Sequence, residues 1–134
     1  MSQLICIYTG GLFTLIVAVY HTQLFKKLNW AVEFKKITEH NAKTFYTINI
    51  ALTILFFIIG IISFVYAREL SKGTGLSFGF NLSYAGFWIW RFIWQVTYQR
   101  LSINQKPIQA GIVKMLVPLI LATCYLWPPL SKFI

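Results

Sequence analysis

The chain has 134 residues, 57% hydrophobic, 18% aromatic and only 11% charged, and its twelve Lys and Arg against three Asp and Glu give a formal net charge of +9. Soluble domains carry about 25% charged residues, so this composition excludes an ordinary soluble domain and predicts an integral membrane protein. The positive excess falls mainly in the polar connections, where membrane orientation and anionic headgroups account for it, and no nucleic-acid partner is expected.

The opening MSQLICIYTGG lacks a positive n-region and is not expected to be a cleaved signal peptide. Four apolar segments follow, at about 4–25, 44–67, 77–99 and 109–127. Each is long enough for a hydrocarbon core of about 30 Å at about 1.5 Å per residue. Their short connections predict an all-α fold: one domain over 1–134, with four transmembrane helices in an up-down antiparallel bundle. No internal repeat is seen, so an inverted-repeat transporter within one chain is not expected.

The first connection carries Lys26, Lys27, Lys35 and Lys36, with Lys43 at its end. Within it Asn29 is expected to cap a short amphipathic helix from Trp30, whose apolar face (Trp30, Phe34, Ile37) lies in the headgroup plane. Ser71-Lys72-Gly73-Thr74-Gly75 reads as a turn, not a phosphate-binding loop, because no strand precedes it and GK[ST] is absent. Arg100 and Lys106 lie in the third connection and Lys114 just inside the fourth segment. Against these eight positives stand Arg68, Lys72 and Lys132. The positive-inside rule then puts connections 1–2 and 3–4 in the cytoplasm and both termini outside. Pro107 suits a first helical turn, Pro118 is expected to kink the fourth helix, and Trp127-Pro128-Pro129 to end it.

The third segment organises the rest. Asn81, Tyr84, Trp88, Arg91, Gln95 and Tyr98 recur at alternating spacings of three and four, so they share one face of a helix whose other faces are apolar. Such a seam must face protein or trapped water. Compatible seams run along the other segments: Gly10, Thr14, Val17, His21; Tyr46, Asn49, Thr53, Phe56, Gly60, Ser63; and Gly111, Lys114, Pro118, Leu121, Tyr125. Small and hydroxylated residues there permit close helix packing.

Counted from the cytoplasmic ends, His21, Asn49, Gln95 and Arg91 fall within roughly 6 Å of one depth. A polar cluster is therefore expected around Arg91, with His21, Asn49, Gln95, Tyr46, Tyr98 and Trp88 as candidate ligand-binding residues. Glu33, Glu39 and Glu69 all lie in connections or at helix ends, so none can pair with Arg91 inside a helix. Two readings stay open: an arginine bonded to carbonyls and headgroups, or one holding an anionic ligand, lipid phosphate or partner carboxylate. No cofactor or metal is expected; the histidines raise one alternative, a haem held by His21 and His40. Cys6 and Cys124 exclude a CxxC pair or a cysteine-built zinc site, and free thiols are expected over a disulfide.

In length and helix count the chain resembles small multidrug transporters, yet it lacks the glutamate those carry in their first helix. It likewise resembles four-helix fluoride channels, without their Thr-Phe-Ser-Thr-Phe type of segment. The paired cysteines of quinone-linked disulfide-forming proteins are absent. With no acid–base pair and no nucleotide motif, the expected function is a non-catalytic membrane subunit whose partners are lipids and other membrane subunits or itself. The alternatives are a binding or permeation protein for a small anionic or amphiphilic ligand such as a lipid, quinone or anion, and a redox carrier or membrane enzyme using His21.

Overall fold

A chain this poor in polar side chains must satisfy its backbone polar groups internally, and every regular element among the described residues is helical. The computed structural model describes residues 1–100 and 108–133, with side chains for all of these except 98–100 and 108–114. The elements are α1 (Ser2–Thr22), α2 (Leu24–Lys27), α3 (Trp30–Glu33), a 3₁₀ turn (Phe34–Lys36), α4 (Glu39–Val65), α5 (Ala67–Lys72), α6 (Leu76–Arg100) and α7 (Ile108–Leu130). The expected segments thus appear as helices, with boundaries shifted by a few residues. The third connection, with Lys106 and Pro107, and the side chains of Tyr98, Arg100, Gly111 and Lys114 lie outside the described residues.

Two helices, α1 and α4, with 21 and 27 residues, are long and apolar enough to cross a membrane. The 25 residues of α6 have the length, but Asn81, Arg91 and Gln95 lower its hydropathy. In α7 the apolar stretch that is described is Met115–Leu130.

The short helix expected from Trp30 appears as the four-residue α3 followed by a 3₁₀ turn, with α2 before it. Asn29 separates α2 from α3 in the left-handed conformation, φ 50° and ψ 42°, and makes no side-chain cap. Asparagine tolerates this region better than most residues. Its contribution to α3 comes from its carbonyl, which accepts from the N–H groups of Val32 and Glu33 at 2.9 and 3.1 Å. Trp30 and Phe34 do share a face, with ring centroids 4.8 Å apart. The helical backbone ends before Ile37, which is extended at φ −121° and ψ 166°.

The chain divides into two compact units: Met1–Gly10 with Ser63–Ile134, and Gly11–Ile62. In the second unit, the later part of α1 runs antiparallel to α4. At one end Gly60 lets the helices approach, since a Cβ there would lie 2.5 Å from Leu15 Cδ2; at the other end His21 meets Asn49.

In the first unit the start of α1 runs antiparallel to α7. Gln3 Nε2 donates to Ser131 Oγ at 3.2 Å, and a Cβ on Gly10 would meet the Tyr125 ring at 2.7 Å. The α6 helix is antiparallel to α7 as well: Gly73, just before α6, abuts Pro128, while Tyr84 packs edge-on against Tyr125 with centroids 4.7 Å apart. Ile7, Ala85, Leu121 and Tyr125 are fully buried in this core.

The α7 helix runs unbroken through Pro118 and continues over Pro128 and Pro129 to Leu130, past its expected end. Proline φ is helical, so the backbone can continue although the carbonyls one turn earlier lose the N–H donors of these two residues. Trp127 and Pro128 carbonyls accept from Ser131 N and Oγ, both at 2.9 Å, which closes the helix end.

Candidate functional site: buried polar seams

On α6 the three-four spacing becomes an inward face. Asn81, Tyr84, Trp88 and Gln95 are all buried, Gln95 at 3% exposure, whereas Ile89, Trp90, Ile93 and Trp94 are exposed, Trp90 at 55%. This reverses the usual pattern of a helix on a water-soluble protein. Asn81 Nδ2 donates to the Leu70 carbonyl at 2.7 Å, which also accepts from the Gly73 N–H at 3.3 Å at the end of α5. Its Oδ1 is buried and has no hydrogen-bond partner among the described residues.

Arg91 is half-buried on the same face. Among the described residues it makes no ion pair. Each glutamate in the chain is held by a lysine one turn away: Glu33 by Lys36 at 2.9 Å, Glu39 by Lys43 at 2.6 Å and Glu69 by Lys72 at 2.8 Å. These local pairs occupy all three glutamates, and none of them reaches Arg91.

In the second unit, His21 and Asn49 exchange two hydrogen bonds. Asn49 Nδ2 donates to the His21 carbonyl at 3.2 Å, which turns the amide oxygen toward the imidazole, 3.0 Å from Nδ1. An amide oxygen only accepts, so Nδ1 carries the proton and, in the neutral ring, Nε2 holds the lone pair. Phe56 packs edge-on against the imidazole with centroids 5.2 Å apart, and Thr53 Oγ1 donates to the Asn49 carbonyl at 2.7 Å.

Tyr46 lies at the outer edge of the α4 seam. It is exposed and packs edge-on against Phe25, 5.9 Å away, because α1 has ended at Thr22 and α2 is its neighbour there. His40 is exposed on the first turn of α4, nine residues before Asn49 and so about 13 Å from it along the axis. Among the described residues no three His, Cys, Asp or Glu side chains gather as a metal site. Cys6 and Cys124 are free thiols.

Two contacts escape the seam pattern. Ser63 and Tyr125 join hydroxyls at 2.5 Å in the core of the first unit; their seams predict inward faces but not which residues meet. An aromatic cluster also forms around the first connection, to which Phe25 and Phe45 belong. Its sequence signal is the density of rings on either side of the lysines. Comparison with protein-family models, curated proteins and solved structures finds no match for this chain.

Proposed function

We propose that the chain crosses a membrane four times as an up-down antiparallel bundle, and that it serves as a non-catalytic subunit of a homo-oligomer or a larger membrane complex. The observation that carries this reading is the inside-out pattern of α6, with Asn81, Trp88 and Gln95 buried and Trp90, Ile93 and Trp94 outward. Such a helix suits hydrocarbon on its back and protein on its seam. The lysine-rich connection between α1 and α4 lies on the cytoplasmic side, as does that between α6 and α7. Assembly uses the aromatic back of α6 or its seam. Gentle detergent extraction followed by native mass measurement tests the subunit role. A discrete multimer or a companion at fixed stoichiometry is expected; a monodisperse monomer with no companion overturns it.

A second reading is favoured by Arg91, a half-buried guanidinium without an ion pair among the described residues. In this reading Arg91, between Trp88 and Gln95 on the seam, binds a small anionic or amphiphilic ligand. Bidentate capture of phosphate or carboxylate is the chemistry that a guanidinium supplies. Thermal stabilisation by short-chain phosphates and carboxylates is expected in the wild type and not in Arg91→Gln. Equal stabilisation of both proteins assigns Arg91 a structural role.

A further inference from the structure

The connection between α1 and α4 holds more than a run of lysines. Phe25, Trp30, Phe34, Phe45 and Tyr46 form a continuous ladder of rings, with neighbouring centroids 4.8 to 6.4 Å apart. Phe25, Phe45 and Tyr46 remain 41 to 55% exposed. Aromatic surface of this extent marks a contact site, and Trp30 and Tyr46, whose rings carry a polar group, favour the boundary between hydrocarbon and headgroups.

The charges beside this ladder are unequal. Lys36 and Lys43 are held by Glu33 and Glu39. Lys26, Lys27 and Lys35 are exposed and make no ion pair among the described residues. Lys27 Nζ sits 4.6 Å from the centre of the Tyr20 ring, a contact that orients the ammonium without neutralising it. Three uncompensated positive charges therefore border an exposed aromatic surface where α1 ends and α4 begins.

We infer that this platform is a binding surface for the headgroups of anionic phospholipids, with Lys26, Lys27 and Lys35 meeting the phosphates and the ring ladder seated at the acyl boundary. Charge complementarity selects an anionic headgroup over a zwitterionic one, whose ammonium would stand among the lysines. An acidic peptide would satisfy the charges but leave the rings uncovered. A nucleic acid would need open ring faces for its bases, and Trp30 and Phe34 already face each other. The placement rests on the membrane-spanning reading; the headgroup preference is separable from it.

The test uses the full chain in neutral detergent micelles, titrated with short-chain phosphatidylglycerol or phosphatidylcholine and followed by tryptophan fluorescence and thermal midpoint. Each lysine near an anionic surface strengthens association roughly fivefold. The wild type is expected to prefer phosphatidylglycerol by at least about tenfold, and Lys26→Gln/Lys27→Gln/Lys35→Gln to lose most of that preference. The charge-preserving triple Lys→Arg variant keeps it. Equal affinity for the two lipids, or a preference undiminished in the glutamine variant, overturns the inference. So does an equal response to inorganic phosphate or to a polyglutamate peptide. If the glutamine variant does not fold, the wild type in about 0.5 M salt decides: screening should abolish the preference, and its persistence is contrary. Alkaline carbonate extraction is run alongside. Release of the chain from membranes removes the four-span reading, while the lipid titration of that same chain still tests the platform.

Discussion

Ser63 and Tyr125 place two hydroxyls together where both side chains are fully buried. A buried hydroxyl that loses its partner costs about 1–3 kcal/mol, more than the bond itself contributes. Ser63→Ala is therefore expected to lower stability by about 1–2 kcal/mol. The double variant with Tyr125→Phe should be less destabilised than the sum of the singles, since the bond they share is lost only once. Denaturation of the four proteins in one detergent measures this coupling, and strict additivity refutes it. The His21–Asn49 pair makes a second prediction. In the wild type the Nδ1–H tautomer should dominate; Asn49→Leu should mix the tautomers and destabilise by about 1–2 kcal/mol for the two bonds lost. Imidazole ¹⁵N spectra read the tautomer directly.

Among the elements, the turn between α5 and α6 sets the α6 register. Gly73 ends α5 with φ +60°, and a Cβ there would lie 2.5 Å from the Pro128 carbonyl oxygen. Gly75 has a similar φ of +55° but open space around it. Alanine at Gly75 should cost only the left-handed penalty, about 1 kcal/mol. Alanine at Gly73 adds a clash with rigid backbone and should cost clearly more, about 3 kcal/mol, because neither α7 nor the turn can yield. Thermal midpoints of the two variants check the order, and equal losses would mean that the close approach to α7 carries no weight. Heptad-like spacing reveals the faces of α6 and α4 without revealing these contacts. The same limit explains the first connection. Composition shows an amphipathic stretch after Asn29, but the left-handed asparagine and the extended Ile37 bound it to α3 and one 3₁₀ turn.

For the whole molecule, orientation is the property that charge patterning addresses. With Cys6→Ser and Cys124→Ala as background, Thr74→Cys should react with a membrane-impermeant maleimide in intact cells, and Asn41→Cys only after lysis. Both positions are exposed, so accessibility rather than burial decides. Reversed labelling inverts the topology, and equal labelling of both in intact cells excludes the four-span arrangement.

What residue order alone determined is the helical class, the approximate extent of the long helices and the buried face of α6. Each follows from periodicity and backbone hydrogen bonding, which are local. The local pairing of all three glutamates was equally legible, since each sits beside a lysine along the chain. Only tertiary structure decided that His21 answers Asn49, that Ser63 answers Tyr125, that Tyr46 turns out to Phe25, and that five rings join around the lysines. Those pairings depend on the relative rotation and axial offset of packed helices. Residues sharing a face have several partners open to them until close packing at positions such as Gly10 and Gly60 selects one.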